Sequence, residues 1–153
     1  MRKTVPYYRV QLVKSADAAM RLPVVEIRNA EDAGRLFCEQ IGNADREMVA
    51  LLALDVNNVV IGATVVSVGT LDGAPLHPRE VYKPAILLNA ATIILGHNHT
   101  SGYLEPSDED LAATKRLAQA GRIMGVELMD HIIVNADGQH LSLKQKLNGY
   151  WGC

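Results

Sequence analysis

Cysteine is scarce in this chain. Only Cys38 and Cys153 occur among 153 residues, and no C-x-x-C pair exists. Neither a thiolate zinc site nor a dithiol redox pair can be built from them. Cys38 lies in the helical-looking stripe GRLFCEQI and reads as a small core residue, and Cys153 is the last residue. Aromatic residues are also few, at 5%, and charge of either sign is in no excess: the net charge is -2 and the pI about 6.2. This balance gives no basic, aromatic-bearing groove for nucleic acid and no acidic solvating tail. No apolar run is long enough to span a membrane, and no apolar signal-peptide core follows the opening MRKTVPYY. Internal repeats and low-complexity tracts are absent. These exclusions lead us to expect a cytoplasmic protein with no membrane partner.

What is present suits one globular domain: 48% of residues are hydrophobic and 21% charged, in a chain long enough to bury a core. Residues 1–28 are weakly patterned and read as an N-terminal extension, with VVEI (24–27) a candidate edge strand; the domain proper runs from 29 to 153. Asn29 suits an N-cap, with a helix over 30–40 and Gly42 stopping it. MVALLALD (48–55) and the β-branched VVIGATVVSVG (59–69), separated by Asn57-Asn58, predict an antiparallel strand pair. HPREVYKPAILLNA (77–90) has a helical rhythm that Pro84 interrupts. ATIILGH (91–97) predicts a buried strand, residues 107–124 a helix, VELMDHIIV (126–134) another strand, and LSLKQKLNGYW a short strand or turn and a helix. The fold class expected is α/β, a mixed central sheet with helices on both faces.

One constellation carries chemistry. His97 and His99 stand two apart at the exit of a strand, so their imidazoles share a face. The intervening loop contains Gly102 and Pro106, and can fold back to bring Asp110 to the same point. Two histidines and one carboxylate leave a fourth tetrahedral position open, the arrangement of catalytic rather than structural Zn²⁺. The plainer alternative is a capping box, with Ser107 as N-cap and Asp110 at N3, beside two loop histidines. The two are compatible, because a cap can orient a ligand.

The joint spacing, H-x-H-x7-S-x2-D over His97, His99, Ser107 and Asp110, resembles the signature of the JAMM (MPN+/JAB) metalloproteases. From about Ala30 onward, including GTL at 69–71 and DHIIV at 130–134, the chain is similar to the JAB domain of the bacterial RadC family. Thr100 stands where family members usually have proline, which leaves the ligands unaffected. The resemblance implies a JAB1/MPN, cytidine-deaminase-like fold and a Zn²⁺-dependent hydrolase acting on a peptide or isopeptide bond of an unknown protein or peptide. It implies a glutamate that moves the proton. Glu47, directly before the first strand, is the choice, and Glu80 in HPRE the competitor, with an ion pair or cap contact as its other role. Ser107 would donate to the oxyanion. Full-length relatives carry a helix-hairpin-helix region for which this chain is too short, so a stand-alone domain is expected and DNA binding weak or absent. The oligomeric state is not set by the sequence.

The remaining histidines carry less. His77 reads as a helix-entry residue and His140 as a turn residue. His131, mid-strand beside Asp130, reads as a hydrogen-bonded core histidine that could support a ligand from behind. The contiguous His-Asn-His lacks the ββα spacing of HNH nucleases, and the deaminase pattern with P-C-x-x-C is missing. The alternative to a hydrolase is a non-catalytic, RadC-like module that binds DNA or protein in association with DNA repair.

Overall fold

The structure, a computed structural model, describes residues 5–15, 25–69 and 76–149. Helix α1 spans Ala30–Ile41, strand β1 Met48–Leu54, β2 Val60–Val68, α2 Pro78–Leu87, β3 Thr92–Asn98, α3 Asp108–Met124, β4 Glu127–Val134, β5 His140–Ser142 and α4 Leu143–Lys146. The strands form one sheet in the order β2-β1-β3-β4-β5. Only β3 and β4 are parallel, and α3 is their crossover; β1 runs antiparallel to both β2 and β3, and β5 antiparallel to β4.

Strand β1 reads as an unbroken apolar run because it is central and covered on both faces, with six of its seven residues buried. Alternate residues feed two cores. Val49, Leu51, Leu95 and Ile133 face α2 and α3 with Val81, Tyr82 and Leu117. Ala50, Leu52, Ile94 and Ile132 face α1 with Leu36, Phe37 and Ile41. Gly96 is required by α1: a Cβ there would lie 2.3 Å from the Phe37 ring, so glycine lets this helix rest directly on β3. On the other face the Tyr82 hydroxyl donates to the Leu117 carbonyl (2.8 Å) and ties α2 to α3.

The elements lie close to where the sequence predicts them, with four differences. The candidate edge strand at 24–27 reduces to a single bridge, Glu26 with Val59, and Val24 lies outside the described residues. Pro84 does not break α2; it sits at the seventh position, where its missing N–H frees only the Glu80 carbonyl near the helix start. His140 is not a turn residue but opens β5, its ring packed on Gly34 of α1. Cys38 is only partly buried, and its thiol donates to the Gln139 carbonyl. Thr70, Leu71 and Cys153 lie outside the described residues. Among the described residues no helix is long and apolar enough to cross a membrane.

Candidate metal centre

Strand β3 delivers the two histidines to one end of the sheet. His97 is its penultimate residue and is buried; His99 follows the strand end and is half-buried. The loop beyond turns back at Gly102 (φ 83°), whose N–H donates to the His99 carbonyl and whose own carbonyl accepts from buried Asn135 (2.9 Å). The turn returns the chain to Ser107, where α3 begins. The capping box is complete: the Asp110 N–H donates to Ser107 Oγ (3.1 Å) and the Ser107 N–H to Asp110 Oδ2 (2.8 Å). The cap therefore aims the Asp110 carboxylate, 3% exposed, at the histidines. Asp110 Oδ1 lies 3.3 Å from His97 Nε2, Oδ2 3.3 Å from His99 Nε2, and the two Nε2 atoms 2.7 Å from each other.

Electrostatics follow from this geometry. Burial works against the Asp110 carboxylate, but the His97 and His99 rings, whose Nε2 atoms face it, override this and hold the group well below the usual carboxylate range. Accepting from protonated His99, the same carboxylate raises His99 against its own desolvation. The Tyr103 carbonyl, 2.8 Å from His99 Nδ1, can only accept, so Nδ1 carries a proton and neutral His99 has its lone pair on Nε2. An Nε2 lone pair, a second Nε2 and a carboxylate within 4.8 Å of one another form a donor set that a metal ion satisfies.

Behind His97 and Asp110 lies a polar chain inside an apolar core. His97 Nδ1 is 2.8 Å from His131 Nε2, His131 Nδ1 is 2.6 Å from Thr114 Oγ1, and Thr114 Oγ1 is 2.6 Å from the Asp110 carbonyl. A β-bulge at Met129 makes this possible. Ile93 pairs with Leu128 but Ile94 with Asp130, so the extra residue turns His131 toward α3 instead of α1. Burial and the neighbouring His97 push His131 down to about 3, so it is neutral. Asp130, raised by burial, is engaged elsewhere: it accepts from Ser142 Oγ (2.6 Å) and from the His131 and Lys144 N–H groups.

In front of His99 and Asp110 is a cleft of about 450 Å³ lined also by Glu47, Ser101, Tyr103, Glu105, Ser107 and Glu109. Glu47 reaches it because β1 runs antiparallel to β3. Val49 faces His97, so the same register carried two residues on sets Glu47 against His99. Its backbone is pinned by a residue that the sequence reading passed over. The Asn98 side chain accepts from the Met48 N–H (2.7 Å) and donates to the Arg46 carbonyl (3.0 Å), bracketing Glu47. Glu80 does not line this cleft; it pairs with Arg79 and Lys83 on the exposed first turn of α2. His77 is the N-cap of α2. Of the residues singled out by sequence, His97, His99, Ser107, Asp110, Glu47 and His131 thus come together and Glu80 stands apart. Asn98 and Thr114 were missed. The only sequence signal for Asn98 was its place between the histidines.

The family model of the RadC-like JAB domain matches residues 27–149. A UPF0758 protein of Moorella thermoacetica is 44% identical over 129 residues, which cover 84% of this chain and 56% of that protein. One of Clostridium acetobutylicum is 43% identical over 136 residues (89% and 59%), and one of Desulforamulus reducens 41% over 147 residues (92% and 64%). The chain thus spans less than two thirds of the length of these relatives. Its five-stranded mixed sheet flanked by helices is consistent with the JAB/MPN fold. With His97, His99 and Asp110 placed to hold a metal ion on that fold, the chain belongs to the RadC-like JAB domain family.

Proposed function

We propose that this domain is a zinc-dependent hydrolase of the JAMM kind, cleaving a peptide or isopeptide amide. The observation that supports this most is the convergence of His97 Nε2, His99 Nε2 and the Asp110 carboxylate on the wall of an open cleft that Glu47 and Ser107 also line. Two neutral nitrogens and one carboxylate suit Zn²⁺ with a free position for water or substrate. Bound there, the ion would supply acidification of a water and polarisation of the scissile carbonyl. Glu47 takes the proton of the attacking water on its carboxylate and returns it to the leaving amine, so water adds across the C–N bond with no net proton change. Ser107 suits the oxyanion. Its cap uses an Oγ lone pair to accept from Asp110 N–H, which leaves the hydroxyl proton to be donated into the cleft.

The four carboxylates at the cleft, Glu47, Glu105, Glu109 and Asp110, disfavour a phosphate backbone and support a protein or peptide substrate over DNA. The test is metal analysis of the purified protein beside His97→Ala. About one Zn²⁺ per chain is expected in the parent and none in the variant. Equal zinc in both would remove the site.

A further inference from the structure

We infer that Thr114 and His131 are positioning residues that fix the tautomer of His97 and so make its Nε2 available to a metal. This inference deepens the hydrolase reading and rests on its metal site. The argument is proton counting along the buried chain. The Asp110 carbonyl can only accept, and it lies 2.6 Å from Thr114 Oγ1, so the single hydroxyl proton of Thr114 points at it. Thr114 then has only lone pairs to offer His131 Nδ1, 2.6 Å away, so Nδ1 carries the His131 proton. With that nitrogen protonated, the other ring nitrogen of neutral His131, Nε2, is an acceptor. His97 Nδ1, 2.8 Å from it, must then donate. The His97 proton is placed on Nδ1, and its lone pair lies on Nε2, facing His99 and Asp110.

The reverse arrangement is self-defeating. If His131 carried its proton on Nε2, His97 Nδ1 would accept, and the His97 proton would sit on Nε2, blocking the ligand atom. Thr114 Oγ1 and His131 Nδ1 would then either face each other as two acceptors or take the hydroxyl proton from the Asp110 carbonyl. His99 needs no such chain, because the Tyr103 carbonyl sets its tautomer directly. The difference follows from burial. His99 is reached by its own loop, whereas His97, at 1% exposure, has only the sheet and α3 behind it. Thr114 lies one turn beyond Asp110 on α3, so one helix presents a ligand on its first turn and orients another ligand from its second. Contacts of this kind typically change metal affinity about 10–100-fold.

Thr114→Val removes the hydroxyl at nearly constant volume; Thr114→Ser restores it. Zn²⁺ affinity would be measured by chelator competition, and the His97 tautomer by ¹⁵N NMR of the metal-free protein. Thermal unfolding would report integrity. We expect Thr114→Val to weaken zinc about 10–100-fold, Thr114→Ser to recover it, and the His97 Nδ1–H signal to be present in the parent and lost in the valine variant. Equal affinity in the parent and the folded valine variant would overturn the inference. So would weakened zinc in Thr114→Val with the His97 Nδ1–H signal unchanged, which would mark a purely structural role. If the parent takes up no zinc, the hydrolase reading fails, and the NMR signal still decides the tautomer chain.

Discussion

Asp110→Asn separates the two roles that its position allows, helix cap and metal ligand. Asparagine has nearly the same volume and keeps one oxygen to accept the Ser107 N–H, so the cap, worth about 1 kcal/mol, survives. What disappears is the negative charge 3.3 Å from both Nε2 atoms. Structural zinc sites bind with roughly 10–16 kcal/mol over four ligands, so one ligand carries about 2.5–4 kcal/mol, or about 10²–10³ in Kd. The assay is thermal unfolding at a zinc concentration 100-fold above the parent Kd. The parent gains about 2.7 kcal/mol there, and the variant, at or below its own Kd, about 0.4 kcal/mol or less. For a chain of this size that is a rise in Tm of roughly 5–11 °C in the parent and about 1–2 °C in the variant. The metal-free variant should melt within a few degrees of the parent, because His99, raised by Asp110, can lose its extra proton once that partner is gone. A variant that keeps the full zinc-induced rise would show that Asp110 is only a cap, and the ligand assignment would fall.

Three further outcomes are expected. Glu47→Gln should retain zinc and lose hydrolysis of any amide substrate found for the parent; retained turnover would remove Glu47 as the proton carrier. Ser107→Asp should melt near the parent, since aspartate caps well, yet lose the hydroxyl donor and slow turnover roughly 10²–10³-fold; full activity would reduce Ser107 to a cap. In the metal-free protein, His131 makes stability depend on pH. Its folded value, about 3, lies below its unfolded value of about 6.5, so its contribution is complete above about 6.5 and lost as pH falls toward 3, at up to about 1.4 kcal/mol per pH unit. Raised His99 does not oppose this, since it is protonated in both states below about 6.5. Urea unfolding between pH 7 and pH 4 measures the slope, and His131→Gln should flatten it; an equal slope in both proteins would refute the assignment.

Much of the site was legible because its signals are local. The apolar run of β1, the β-branched run of β2 and the H-x-H at the end of β3 each depend on neighbours in sequence, and the Ser107–Asp110 cap closes within four residues. What escaped depends on distant pairings. Asn98 acts on Arg46 and Met48 across the sheet, so its role appears only once β1 and β3 are in register. Thr114 reads as one more polar residue in an amphipathic helix until His131 arrives from β4. His131 itself was a candidate without a direction. Strict alternation from Leu128 would turn it toward α1, and only the bulge at Met129 reverses it. The choice between Glu47 and Glu80 was open for the same reason, since only the pairing of β1 with β3 brings Glu47 beside the histidines.

The topology also explains why these pieces gather at one end of the sheet. A crossover helix between two parallel strands must begin where the first strand ends, so the start of α3, with Ser107 and Asp110, lies beside the exit of β3, with His97 and His99. An antiparallel neighbour enters where β3 leaves, so the residue just before β1 comes to the same edge, and that residue is Glu47. Were β1 parallel to β3, Glu47 would lie at the opposite end of the strands, a full strand length from the histidines. The first turn of α3 adds its own field. The positive end of the helix favours the Asp110 carboxylate. Strand direction thus brings Glu47 to the histidines, and the helix start supplies the cap, the Asp110 carboxylate and the favourable field together.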